Sequence, residues 1–176
     1  MKKYINIVLH CIIFNHVAMA QSQFGDPSVV PRIDSKASYL YENNNNTHFF
    51  LTKKTFLGKR TSGSNIVAYT QKDTLHRIIV STTTREGMLA KEFYFENNQL
   101  IFTYQTLECF AEASLYKNWK NFKGFHGWES RFYFEKGELK YQKHNGLNSK
   151  TPVIGKTVLM EAQNIKNFVL TQLNQN

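Results

Sequence analysis

Residues 92–104, EFYFENNQLIFTY, and residues 131–143, RFYFEKGELKYQK, carry the same order of side-chain types thirty-nine positions apart. Each runs through a charged residue, three aromatics, Glu, two turn-forming residues, a polar residue, Leu, and an aromatic two positions on. Strand-forming residues on both sides of a two-residue turn signal describe a β-hairpin. With Asn97–Asn98 and Lys136–Gly137 as the turns, uninterrupted pairing sets Phe95 opposite Leu100, Tyr94 opposite Ile101 and Phe93 opposite Phe102. The second copy then sets Phe134 opposite Leu139, Tyr133 opposite Lys140 and Phe132 opposite Tyr141. Because side chains alternate along a strand, Phe93, Phe95, Leu100, Phe102, Phe132, Phe134, Leu139 and Tyr141 are expected on one apolar face. The opposite, wet face is expected to carry Glu92, Tyr94, Glu96 and Gln99, with Arg131, Tyr133, Glu135, Glu138 and Lys140.

The repeat is a structural unit from which a sheet is assembled. VAYTQKDTLHRII, residues 67–79, reads as a degenerate earlier copy turning at Gln71–Thr74, and THFFLTKKTFLG supplies one or two more strands. Two or three unevenly spaced copies are too few for a propeller or solenoid. The expected fold class is α+β, an antiparallel meander of about six strands. Its cover is the C-terminal segment, where Val158, Leu159, Ala162, Ile165, Val169 and Leu173 recur at helical spacing. Toward the N-terminus, residues 21–32 read as an extended lead-in holding Pro27 and Pro31. A short helix follows, with Asp34 as its N-cap and the Asn43–Asn46 cluster as its end.

Residues 1–20 have the make-up of a signal peptide: Lys2 and Lys3, an apolar run from about Tyr4 to Phe14, and small residues at Ala18 and Ala20. Cleavage after Ala20 would leave one domain, residues 21–176, in the periplasm or outside the cell. It would also remove Cys11, leaving Cys109 with no intramolecular disulfide partner, so the domain must rest on its core. Cys109 lies among apolar residues and reads as a small buried hydrophobe. The whole chain carries a formal charge of +9, and loss of Lys2 and Lys3 lowers it to +7. A chain this basic is drawn to anionic surfaces, here an anionic envelope component or an acidic protein. The compartment argues against nucleic acid, and no apolar run after the leader is long enough to cross a membrane.

The segment joining the two hairpins, ECFAEASLYKNWKNFKGFHGWES (108–130), is the least generic part of the chain. Tyr116, Trp119, Phe122, Phe125 and Trp128 recur every third residue with Lys117, Lys120 and Lys123 among them. Rigid rings among cations suit an acidic partner, a sugar or a membrane interface. The candidate binding residues are therefore Trp119, Lys120, Phe122, Lys123, Phe125, His126 and Trp128. Arg131, Tyr94 and Tyr133 join them from the wet sheet face. Glu92 and Arg131 hold equivalent places in the two hairpins and could pair across neighbouring strands. The sequence has no nucleophile elbow, no His-Glu-x-x-His and no phosphate-binding glycine loop. No metal site and no cofactor is expected, since the four histidines of the mature chain lack ligand spacing and only one cysteine is left. His126 and Glu129 form the one acid–base pairing worth weighing, and a cell-envelope hydrolase centred on them is the enzymatic alternative. A purely electrostatic binder of anionic envelope surfaces is the other.

Phe93-Tyr94-Phe95, Leu100-Ile101-Phe102, Trp128-Glu129-Ser130-Arg131 and Phe132-Tyr133-Phe134 carry a resemblance. Over roughly residues 65–145 the chain resembles a loose group of uncharacterised exported bacterial proteins built on such hairpins. That resemblance implies no activity and no functional residues. The expectation is thus an exported, non-enzymatic binding or accessory domain that uses its aromatic-basic loop.

Overall fold

Both copies of the repeat fold as hairpins, and so does the degenerate one. A computed structural model describes residues 21–43, 46–52, 63–72, 74–84, 87–109, 127–146 and 155–175. In chain order the elements are β1 (Gln21–Gly25), a single 3-10 turn (Pro27–Val29), α1 (Val30–Glu42), β2 (Asn46–Thr52), β3 (Ser64–Gln71), β4 (Thr74–Thr83), β5 (Gly87–Glu96), β6 (Gln99–Cys109), β7 (Gly127–Glu135), β8 (Glu138–Gly146) and α2 (Gly155–Leu173). The strands form one antiparallel sheet in the order β1-β8-β7-β6-β5-β4-β3-β2. It has eight strands where the sequence reading expects about six. One addition is β1, read from sequence as a bare extended lead-in. Its five residues pair along the β8 edge, Gln21 opposite Asn145 through Gly25 opposite Tyr141. Gly25 ends this strand at φ +94°, so close to β8 that a Cβ there would collide with the Lys140 carbonyl.

The three hairpins share a defect that counting residues could not reveal. In each, the two pairs nearest the turn follow the expected register: Gln71–Thr74 and Thr70–Leu75, Glu96–Gln99 and Phe95–Leu100, Glu135–Glu138 and Phe134–Leu139. Then one residue is left out, and pairing resumes as Tyr69–Arg77, Tyr94–Phe102 and Tyr133–Tyr141. His76, Ile101 and Lys140 are β-bulges at the same place in three successive hairpins. A bulge shifts the alternation by one, so every residue beyond it changes face. Phe102 and Tyr141 therefore leave the face assigned to them and join Tyr94 and Tyr133. The turns themselves match expectation: Lys72, Asn97, Asn98, Lys136 and Gly137 all have φ between 47° and 76°, as a two-residue hairpin loop requires.

Both faces of the sheet are roofed near these turns. On one, α2 lays Val158, Ala162, Ile165 and Val169 against Ile66, Ala68, Ile78, Val80, Phe93, Phe95, Phe132 and Phe134. This is the helix that the periodicity predicted, and it covers the predicted face without Phe102 and Tyr141. Each fully buried phenylalanine there is worth about 1.5–3 kcal/mol. On the other face, α1 packs Ile33, Ala37 and Leu40 onto Tyr94, Ile101, Phe102, Tyr133 and Tyr141. The expected wet face is thus a second core at this end of the sheet, and Tyr94 and Tyr133 are only 6% and 2% exposed. The helix starts at Val30, four residues before the Asp34 cap expected from sequence. Pro31 fits its first turn, and Asp26 caps the preceding 3-10 turn by accepting from Ser28 N at 2.9 Å. Asn43 closes the helix as expected, donating its side-chain amide to the Tyr39 carbonyl at 2.8 Å. Cys109 is buried, as predicted.

Candidate functional site

On the α1 face the bulges bring one residue from each strand into a single row. Tyr69, Arg77, Tyr94, Phe102, Tyr133 and Tyr141 are successive cross-strand partners from β3 to β8. Ring centroids along it lie 5.5 Å (Tyr94–Phe102), 5.0 Å (Phe102–Tyr133) and 5.6 Å (Tyr133–Tyr141) apart. Arg77 takes the place of a ring. Its guanidinium sits 4.5, 5.0 and 5.3 Å from the centroids of Tyr41, Tyr69 and Tyr94, within cation–π reach of each. Glu92 compensates the charge, accepting from Arg77 Nε at 3.1 Å and Nη2 at 2.6 Å. The Tyr94 hydroxyl donates to the same Glu92 oxygen at 2.8 Å. Burial first, then the Glu92 charge and hydrogen bond, push the Tyr94 phenol well above its ordinary value. The pairing of Glu92 with Arg131 expected from sequence does not form. Tyr104 of β6 stands between them, and Glu92 faces Arg77 instead.

Helix α1 is fastened over this row by cations one turn apart. Arg32 pairs with Glu135, and Lys36 with Glu96 at 2.5 Å. These two glutamates precede the turns of the two clear repeats, so the repeat provides matching handles for the helix. Beyond α1 the same face carries Glu129, Arg131, Tyr104, Lys143 and Asn145. Glu129 accepts from the Tyr104 hydroxyl at 2.9 Å and the Asn145 amide at 2.7 Å. Burial alone would raise its pKa. The Asn145 and Tyr104 hydrogen bonds, with the charges of Arg131 and Lys143, outweigh that and hold the carboxyl below the usual range. Glu129 is thus a fixed, bonded anion. His126, its expected acid–base partner, lies outside the described residues.

Arg131 is half-exposed on β7, and its Nη2 stands 3.9 Å from Glu129. Its guanidinium lies 5.6 Å from the centre of the Tyr104 ring, and its charge, like that of Asp34, acts on the Tyr133 phenol. Burial and the Asp34 charge push the Tyr133 phenol up to about 12, Arg131 opposing them. Between this group and α1 runs a groove of about 340 Å³ bounded by Asp34, Tyr41, Glu42, Tyr94, Phe102 and Arg131.

The structure thus divides the sequence-predicted residues. Arg131, Tyr94 and Tyr133 share the α1 face, though only Arg131 offers a charged group to solvent. Trp128 faces the other way, its ring 5.9 Å from that of His144. Beside it Ser130 Oγ meets His144 Nδ1 at 2.7 Å. Gln105 and Lys91 continue the row, the latter bonded to Glu161 at 2.6 Å. Trp119, Lys120, Phe122, Lys123 and Phe125 lie outside the described residues, like His126. Sequence reasoning missed Asp34 as a site residue, together with Tyr41, Arg77, Tyr104 and Lys143. The signal that could have found Arg77 is the tyrosine shared by all three hairpins at Tyr69, Tyr94 and Tyr133. Compared with known proteins, the chain matches no family model, no curated protein and no solved structure. Among the described residues no helix is long and apolar enough to cross a membrane.

Proposed function

We propose that this chain is an exported, non-enzymatic binding domain whose partner is anionic, either a component of the cell envelope or an acidic protein. The contact surface is the sheet face beyond α1, acting with the aromatic-basic segment 108–130 that joins β6 to β7. The observation that carries this reading is the pairing of like charges. Arg131 and Lys143 are direct cross-strand partners on adjacent strands, an arrangement that destabilises an isolated sheet. An incoming anion relieves it. Among the described residues, Glu92, Glu96, Glu135, Glu138 and Glu161 are each engaged by a cation within the fold. The excess positive charge of the chain therefore resides on groups outside these pairs, and Arg131 and Lys143 hold two positive charges side by side against the single carboxylate of Glu129, 3.9 Å from Arg131. Arg131 suits the task, because its planar fork recognises carboxylate or phosphate through two parallel hydrogen bonds.

The test is capture from a bacterial envelope fraction by the immobilised chain, at low salt and at a few hundred millimolar. R131E/K143E and W119A/W128A serve as comparisons, and the melting curve of each variant is measured. The reading expects R131E/K143E to lose capture with its melting unchanged, and wild-type capture to weaken as salt rises. Undiminished capture by R131E/K143E would contradict it. Loss of capture by W119A/W128A together with a large drop in melting temperature would assign those rings to the core.

A further inference from the structure

The groove beside α1 is physically different from the cationic patch next to it. Tyr94 and Phe102 border its floor but are nearly fully buried, their rings tilted by 50° to each other beneath a helix fastened with two ion pairs. Its polar groups carry both signs. Asp34 from α1 and Arg131 from β7 both line the groove, and the charges of both act on the Tyr133 phenol. Their charged groups therefore lie close without meeting. Each keeps hydrogen-bonding capacity to spare, since a carboxylate offers about four acceptor sites and a guanidinium five donors. Farther along α1, Glu42 adds a second carboxylate at the helix end, roughly 12 Å from Asp34 at 1.5 Å of rise per residue. The last turn of α1 holds no basic residue, so its negative dipole end adds to that charge.

This charge pattern discriminates between ligands. A plain anion that reaches Arg131 through the groove, rather than from the side of Lys143, also meets Asp34 and Glu42. A plain cation that reaches Asp34 meets Arg131. A molecule with adjacent opposite charges satisfies both walls at once, and an apolar group on it can extend toward Tyr41, whose side chain is exposed at the rim. At about 340 Å³ the groove is at the small end of the range for ligand sites. We infer that it binds a small zwitterion bearing an apolar side chain, of the class of a free α-amino acid, with its carboxylate on Arg131 and its ammonium on Asp34. The site shares Arg131 with the macromolecular contact proposed above but does not rest on that reading, and D34N alters this site while leaving the Arg131–Lys143 pair intact.

The experiment is titration calorimetry of the full chain with three probes: L-phenylalanine, N-acetyl-L-phenylalanine, which lacks the ammonium, and L-phenylalaninamide, which lacks the carboxylate. The expected result is one site for L-phenylalanine and at least tenfold weaker binding of both analogues. R131Q should bind L-phenylalanine and its amide alike, and D34N should bind L-phenylalanine and its N-acetyl form alike, each variant melting as the parent does. The analogue comparison within the parent chain stands even if a variant fails to fold. Equal binding of the three probes would reduce the groove to an apolar slot and overturn the inference. So would N-acetyl-L-phenylalanine matching L-phenylalanine, which would make it a simple anion site, or the absence of L-phenylalanine binding at millimolar concentration.

Discussion

Glu92→Ala tests the most unusual feature of the fold, a guanidinium built into a row of neighbouring, mutually tilted rings. The Arg77 side chain is 7% exposed and that of Glu92 23%, so the substitution leaves a buried cation without its carboxylate. Breaking such a pair from one side costs about 3–5 kcal/mol. The Tyr94 hydroxyl loses its acceptor as well, at about 1 kcal/mol. Against this, the rings of Tyr41, Tyr69 and Tyr94 continue to face the cation, and such contacts are worth about 0.5–2 kcal/mol. A net loss of about 3–4 kcal/mol is expected, a large share of the roughly 5–15 kcal/mol that holds a domain folded. For a domain of this size it lowers the melting temperature by roughly 6–16 °C. Urea unfolding of the parent, E92A and R77M/E92A measures it. The double variant removes both charges and should recover most of the loss, because a buried pair and an apolar replacement differ little in net stability. A loss below about 1 kcal/mol for E92A, or a double variant worse than the single, would refute the claim that Arg77 depends on Glu92.

Three further outcomes follow from the same geometry. Burial, opposed only by the Glu129 charge, holds the His144 imidazole below its ordinary value. The unfolded chain then binds a proton that the folded one resists, so the stability contributed by neutral His144 is present above about pH 6.5 and is lost as the pH falls; H144Q should flatten the unfolding midpoint between about pH 7.5 and 5. The Tyr133 phenol, raised to about 12 by burial and by Asp34, contributes stability that is complete below about pH 10 and lost as the pH rises toward its folded value. Y133F should remove that alkaline loss, together with one late-ionising phenol in an absorbance titration. Lys136 holds φ at 50° beside Gly137 at 76°, a conformation that Asn adopts at lower cost, so K136N should raise the urea midpoint by the equivalent of about 0.5–1 kcal/mol.

Much of the candidate site was hidden from sequence for a definite reason. Arg131, Tyr94 and Tyr133 could be named from the repeat, but their environments could not. Tyr94 and Tyr133 were expected on a wet face because alternation was carried unbroken past Phe95 and Phe134. The bulged residues, His76, Ile101 and Lys140, have no chemistry in common, so nothing local marks them. Asp34 looked like a helix cap because Ser/Thr/Asp/Asn at the start of an apolar period usually is one. In the fold it lies in the second turn of α1, where it lines the groove and its charge acts on Tyr133 of β7 instead. Trp128 and Arg131 are three residues apart, and so occupy opposite faces once that stretch is a strand.

What the chain determined by itself is what depends on neighbours in sequence. Turn pairs able to adopt positive φ at Lys72–Asp73, Asn97–Asn98 and Lys136–Gly137, a leucine just beyond the turn at Leu75, Leu100 and Leu139, and the apolar stripe of α2 all rest on steric and solvation preferences acting over a few residues. Which side of the sheet is wet was decided only by tertiary structure. A one-residue slip costs little locally but exchanges the faces of every side chain beyond it, and its outcome is settled by what comes to lie on top. Here α1 lies on Tyr94, Phe102, Tyr133 and Tyr141, so the rings are buried under it and Arg131 is left beside it.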